Sequence, residues 1–164
     1  MDSLWAPWRM EYIKRDKADP QGCIFCDKFH STDDRRDLVL YRLEHSFVLM
    51  NLYPYNNGHL LIAPLRHLSD YTELTDEESA EMDALTRMSV VILRDLLKPQ
   101  GFNIGMNIGE VGGAGIADHL HRHIVPRWAG DTNFMPIVGH TKVMVEGLSE
   151  SWEALRRAFD SYPK

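Results

Sequence analysis

Asp118-His119-Leu120-His121-Arg122-His123-Ile124-Val125 is the stretch that decides how this chain is read. Side chains on a strand alternate faces with period two, so His119, His121 and His123 point the same way if the stretch is extended. Successive rings then stand about 6–7 Å apart. Each imidazole needs a hydrogen-bond partner, a metal or water, which makes three of them costly for a plain core. An exposed polar strand face explains one such histidine. Three at strict alternation, beside the glycine-rich loop Glu110 to Gly115, point to a site.

Working outward, Phe102 to Ile108 (FNIGMNI) alternates and reads as a strand leading into that loop. His119 to Val125 reads as a strand ended by Pro126. His59 to Pro64 (HLLIAP) is a further strand, preceded by a loop from Asn51 to Gly58 that Pro54, Asn56 and Asn57 punctuate. Leu38 to Tyr41 and Phe47 to Met50 read as two strands with a turn near Glu44-His45-Ser46. Thr75-Asp76-Glu77-Glu78 is a capping box. It opens a helix predicted from about Asp76 to Leu97, stopped before Pro99, with Met82, Leu85, Met88, Val91 or Ile92, and Leu96 on one face. A short helix is expected over Ser149 to Tyr162, with Ser149 as N-cap. Strands in a meander with one long intervening helix give an α+β class, not a parallel βαβ array.

The chain has 164 residues, 44% hydrophobic and 26% charged, with no internal repeat. It is long enough for one domain with a core that needs no disulfide staples. Residues 21–164 are read as that domain. Residues 1–20, with Trp5, Trp8 and Tyr12 among Arg9, Lys14 and Arg15, read as an aromatic arm that packs on a body, its own or a partner's. The formal charge of −6 argues against broad, charge-driven binding of nucleic acid or membrane, and leaves a local pocket for a small anion open. No apolar run approaches the roughly 20 residues of a membrane span. The start lacks the apolar core of a secretory signal, and two cysteines are too few for a disulfide scaffold, so a cytoplasmic location is expected.

Neutral imidazole is a good nucleophile near neutral pH. It can attack phosphorus and form a phosphoramidate, which splits one difficult transfer into two easier ones. That requires one tautomer, held by an acceptor on the other ring nitrogen. A flanking histidine can donate to an oxygen where charge develops.

HLHRHIV resembles the His-φ-His-φ-His-φ-φ signature of the histidine triad family of nucleotide hydrolases and transferases. Cys23-Ile24-Phe25-Cys26, Gly58-His59-Leu60-Leu61-Ile62-Ala63-Pro64, Arg66-His67 and Asn107 fall in family order, so the likeness spans residues 23 to 128. Trp5-Ala6-Pro7-Trp8-Arg9, and Pro126-Arg127-Trp128 followed by Gly130-Asp131-Thr132-Asn133-Phe134, are similar to a bacterial branch that includes diadenosine tetraphosphate phosphorylases. The resemblance implies a five-stranded antiparallel sheet with one long and one short helix. It implies a dimer or larger homo-oligomer in which two sheets join. It makes His121 the nucleophile on an α-phosphate, His123 the group that helps the leaving oxygen depart, and His59 their support. Asn107 would touch phosphate or ribose, and Gly113, Ala114 and Gly115 would bring backbone N–H groups to the phosphates, as glycine-lined anion nests do.

Two departures stand out. Arg122 occupies a position that is usually apolar, and its side chain is expected on the opposite face, in packing or an interface. Gly115 and Ile116 carry no hydroxyl where many members have Ser or Thr, so the backbone must make that phosphate contact. Trp128 has two readings, stacking on a base or capping the core. Asp131 and Asn133 are rim residues.

Cys23-x-x-Cys26 has three readings: a redox pair, a buried apolar hairpin, or half of a zinc site. A thioredoxin-like setting is missing. In zinc-bearing members of the family, including the related galactose-1-phosphate uridylyltransferases, positions like His67 and His119 complete the site. The resemblance therefore implies a structural zinc held by Cys23, Cys26, His67 and His119, with no open position for catalysis. His30, His45 and His140 are expected to be surface or loop histidines. The expected reaction is cleavage of a dinucleoside polyphosphate, of the diadenosine tetraphosphate kind, through a nucleotidyl-histidine. The rival enzymatic reading is hydrolysis of nucleoside phosphoramidates or mononucleotide esters. The non-enzymatic rival is a nucleotide-binding sensor module, which would be expected to lack the middle histidine.

Overall fold

The computed structural model describes residues 22–131 and 147–163. The aromatic arm expected over residues 1–20, and Asn133, Phe134 and His140, lie outside the described residues. The chain runs α1 (Ile24–His30), α2 (Asp34–Asp37), β1 (Val39–Arg42), β2 (Ser46–Met50), β3 (Leu60–Pro64), a 3-10 turn over Tyr71–Glu73, α3 (Asp76–Leu97), β4 (Gly101–Met106), β5 (Arg122–Arg127) and α4 (Leu148–Asp160). The strands form one antiparallel sheet in the order β1-β2-β3-β5-β4. The expected α+β class and five-stranded sheet are present. The short helices α1 and α2 were not expected, and α1 carries the cysteine pair.

The sheet separates two apolar clusters. On one face Leu40, Val48, Met50, Leu60, Ile62 and Ile124 pack against Met82, Leu85, Ile92 and Leu93 of α3 and Leu155 and Phe159 of α4. On the other, Phe25 of α1 covers Val39, Phe47, Leu49, Leu61 and Ala63. Alternation along β2 and β3 sends successive residues to opposite clusters, and both faces of these strands are buried. Helix α3 begins where its sequence says: Thr75 accepts from the Glu78 amide, and the Glu78 carboxylate accepts from the Thr75 amide at 2.9 Å. Its buried stripe is Met82, Leu85, Ser89, Ile92 and Leu93. Val91 and Leu96, two of the residues proposed for the stripe, are exposed. The stripe follows the true period of 3.6, which drifts from a strict three-four spacing over six turns.

Most boundaries shift by one or two residues from the sequence reading, and three of the differences have a structural cause. β5 begins at Arg122, not His119. β3 ends at Pro64 and pairs with β5 only from Arg122 to Ile124, while the Leu120 amide is taken by the Leu68 carbonyl at 2.7 Å. β5 also continues through Pro126 to Arg127. At Pro126 it pairs with Phe102 of β4 and no longer with β3, a one-sided position that accommodates proline. The final helix is capped by Gly147, not Ser149. The Ser149 hydroxyl instead accepts from Arg35 Nη2 at 2.9 Å, which ties α4 to α2.

Candidate active site and metal centre

β5 carries its two faces to different tasks. Arg122 and Ile124 face α3, and the Arg122 guanidinium donates to Asp83 Oδ1 at 2.6 Å and to Thr86 Oγ1 at 2.9 Å. The expected opposite orientation of Arg122 is thus seen, and it clamps the strand to the long helix. His123 faces the other way, toward His59 and Tyr55. Although His119 and His121 precede the ladder, their rings reach the same side. Both lie against the Phe25 ring, at 5.1 and 4.9 Å, and His121 and His123 are 5.0 Å apart between ring centres.

Each ring nitrogen has a defined role. His121 Nδ1–H donates to the His119 carbonyl at 2.8 Å. A carbonyl only accepts, so the Nδ1 tautomer is fixed and Nε2 keeps its lone pair. Burial pushes the His121 pKa down, and the bond to the carbonyl only partly offsets this. The ring is therefore neutral at neutral pH, the form a nucleophile requires. His59 Nδ1 accepts the Tyr55 amide at 3.1 Å, so its proton sits on Nε2. His59 Nε2–H then donates to His123 Nδ1 at 2.9 Å, which leaves the His123 proton on Nε2. The Tyr55 amide, with Asn51 Nδ2 beside it at 3.3 Å, thus sets two tautomers in series and makes His123 a donor. The Tyr55 ring lies over His123 at 5.9 Å with an interplanar angle of 13° and holds its plane.

The glycine loop follows β4. Asn107 does not stand alone: its Nδ2 donates to the Gly113 carbonyl at 3.2 Å and closes the loop. Gly113 has φ +89, and a Cβ on Gly112 would collide with the Ile108 carbonyl, so this turn needs both glycines. Gly113 and Gly115 are exposed and Ala114 half-buried, in the segment that leads to His119. Trp128 is half-buried at the other end of β5, seven residues and roughly 20 Å of extended chain from His121.

Sequence reasoning missed the roles of Phe25, Tyr55 and Asn51, and placed Asp131 only at the rim. Phe25 walls the nucleophile, Tyr55 orders His59 and His123, and Asn51 Nδ2 lies 3.3 Å from His59 Nδ1. Asp131 collects Arg127 Nε at 2.5 Å, Asn56 Nδ2 at 2.7 Å and the Trp128 amide at 3.2 Å, which locks the chain as it leaves β5. Tyr55 and Asn56 sit in a loop whose only signal was turn composition. Asp131 is held well below the usual carboxylate range, chiefly by the Arg127 guanidinium, with Asn56 and the Trp128 amide adding to it. A depressed folded-state pKa adds stability above the unfolded value and loses it as the pH falls through and below that value. Asp131→Asn is therefore expected to lower the melting temperature at pH 7, with the gap to wild type closing below about pH 4. A melting series across pH checks this.

Behind the nucleophile, Cys23, Cys26, His67 and His119 bring one ligand atom each to within 4.8 Å of one another. Cys23 Sγ is 3.1 Å and Cys26 Sγ 3.7 Å from His119 Nδ1, and Cys26 Sγ is 3.5 Å from His67 Nδ1. A tetrahedron with bonds of about 2.0–2.3 Å has edges of about 3.3–3.8 Å, so the set is close to ligating size. His119 Nε2–H donates to the Pro64 carbonyl at 2.9 Å, which leaves Nδ1 as the ligating nitrogen. Burial also lowers the His119 pKa, and burial together with Cys23 raises that of Cys26. The donor chemistry fits zinc.

Residues 33–130 match the HIT domain family. The chain is 37% identical over 169 residues to an AP-4-A phosphorylase of Mycobacterium tuberculosis, covering 99% of this chain and 87% of that protein. It is 30% identical over 106 residues to a bis(5'-adenosyl)-triphosphatase of Saccharomyces cerevisiae, covering 64% of this chain and 49% of the relative. Its fold superposes on a Zn-bound histidine triad family protein from Mycobacterium smegmatis with a TM-score of 0.66 and 26% identity, over 85% of this chain and 94% of that one. Three alternating histidines gathered at the start of β5, a sequence match over more than half the chain, and a shared fold lead to one conclusion: the protein belongs to the histidine triad (HIT) family.

Proposed function

We propose that the protein is a nucleotidyl-transferring enzyme that cleaves dinucleoside polyphosphates of the diadenosine tetraphosphate kind at an α-phosphate. The observation that carries this is His121, with Nδ1 tied to a backbone carbonyl and Nε2 left as a nucleophile beside the donor His123. Similarity over nearly the whole chain to a protein named AP-4-A phosphorylase supports the substrate class.

In the first step the His121 Nε2 lone pair forms a bond to the α-phosphorus, and the bond from that phosphorus to the bridging oxygen breaks. The electron pair leaves with the polyphosphate, and His123 Nε2–H stabilises the departing oxygen. In the second step an oxygen of phosphate or water bonds to the adenylyl phosphorus, the bond from that phosphorus to His121 Nε2 breaks with its electron pair returning to the imidazole, and a proton of an attacking water passes to solvent. The Gly113 and Ala114 amides, expected to meet phosphate, instead donate to the Glu110 and Gly109 carbonyls at 3.0 and 3.2 Å and shape the loop that Asn107 closes, so in this reading the Gly115 amide serves the phosphate oxygens. Trp128 serves the far end of a dinucleotide, not the reacting phosphorus. Product analysis with and without inorganic phosphate tests the reading. ADP plus ATP from diadenosine tetraphosphate, formed only with phosphate present, identifies a phosphorylase, and AMP plus ATP without it identifies a hydrolase. Turnover of phosphoramidates alone would transfer the protein to the rival enzymatic class.

A structural zinc at Cys23, Cys26, His67 and His119 completes the proposal. When bound, it would fasten α1 to the segment ahead of β5 through a closed four-ligand shell. Reduced thiols at these positions are consistent with a cytoplasmic setting, and no helix among the described residues is long and apolar enough to cross a membrane. The dimer is assigned to β4. It ends the sheet, and its Ile104 is 48% exposed. The β1 edge differs, since Trp152 Nε1 donates to the Val39 carbonyl there. An unpaired edge strand is a template for a second copy. Sedimentation of the purified chain is expected to give twice the monomer mass, and an Ile104→Lys variant to give the monomer.

A further inference from the structure

We propose that Gly105 determines specificity for a long leaving group: it keeps an open track on the catalytic face through which the departing polyphosphate runs. This rests on the proposed nucleotidyl transfer at His121. In the β4–β5 register Gly105 stands directly opposite His123. Paired residues in an antiparallel ladder project to the same face, with Cβ atoms about 4.5–5.5 Å apart. That face is the catalytic one. The alternate residues Phe102 and Met106 pack toward α3, as do Arg122, the partner of Met106, and Ile124, the partner of Ile104. Residues 103 and 105 therefore lie on the side of His123.

His123 marks where the leaving oxygen emerges, because its Nε2 carries the donated proton. Any phosphate chain attached to that oxygen must pass beside His123. Across from it there is no side chain. A Cβ built on Gly105 meets no atom of its own chain within 4 Å, and the backbone there is not left-handed. Neither local packing nor backbone conformation requires glycine, and glycine within a strand costs stability. This is unlike Gly112 and Gly113 in the neighbouring loop, whose conformation needs glycine. The next side chain on the same face, Asn103, is held away from the gap: its Oδ1 accepts from Arg127 Nη1 at 2.7 Å, and Arg127 is in turn paired with Asp131. The gap is thus bounded by His123 and a tethered Asn103, and it is as wide as a missing side chain.

Gly105→Val tests the assignment. Valine suits a strand and needs no backbone change, so the melting temperature is expected to hold or rise. Its branches would stand beside His123. We expect kcat/KM for diadenosine tetraphosphate to fall about tenfold or more. Turnover of adenosine 5'-phosphoramidate, whose leaving group is ammonia, and the Kd for AMP are expected to change less than about twofold. A parallel loss on both substrates and on AMP binding would overturn the track, because it would show general damage to the site. Unchanged dinucleotide turnover would overturn it as well. If the valine variant melts early, Gly105→Ala carries the same comparison with a smaller side chain. A wild-type enzyme that forms no nucleotidyl-His121 would instead refute the proposed function, which separates the two failures.

Discussion

Replacing His121 by alanine is expected to reduce turnover by roughly 10,000-fold or more while the domain stays folded. The loss is large because no neighbour can substitute. His119 has one nitrogen on the Pro64 carbonyl and the other among the thiols. His123 has its Nδ1 on His59 and acts as the donor to the leaving oxygen. Only His121 combines a tautomer fixed by a backbone carbonyl with a lone pair toward the site. The fold is expected to survive because the two apolar clusters on either side of the sheet do not include this ring. Removing it does leave a gap against Phe25, so a lower melting temperature accompanies the loss. Rapid quenching with labelled substrate is expected to trap one adenylyl group per active wild-type chain and none on the variant. Label on another residue, or an alanine variant with near-normal rates, would remove the covalent mechanism.

Stripping the proposed zinc is expected to give the second largest effect, on stability before chemistry. A ligand bound only by the folded state adds about 4 kcal/mol when present at a thousand times its Kd. For a chain of this size that corresponds to roughly 8–16 °C in melting temperature. Chelation, or Cys23→Ser together with Cys26→Ser, is therefore expected to abolish stoichiometric zinc by elemental analysis and to lower the melting point on that scale. Activity should follow more weakly, through the backbone. The His119 side chain is a proposed ligand, while its carbonyl holds the His121 tautomer. A metal-free preparation with an unchanged melting temperature would dismiss the zinc.

The identity of the nucleophile was legible because alternation is a local property. His119, His121 and His123 advertise a shared side whether or not all three belong to the ladder, and the rings do gather although β5 begins only at Arg122. The capping box at Thr75 was equally legible, since its two hydrogen bonds span three residues. Helix α1 was not, because a seven-residue helix opened by Cys23 without a side-chain cap gives little periodic signal. Tyr55 was hidden for another reason. It acts through its amide on His59 and its ring on His123, and a loop sequence records neither.

Sequence by itself determined the strand and helix periods, the glycine turn and the chemistry of the imidazoles, because each is written within a few residues and follows from backbone geometry. Tertiary structure alone decided which nitrogen does what. Cys23 meets His119 across 96 positions and His59 meets His123 across 64. Such meetings depend on strand order and register, which fix where distant side chains converge, and a hydrogen bond of about 3 Å exists only once they have converged.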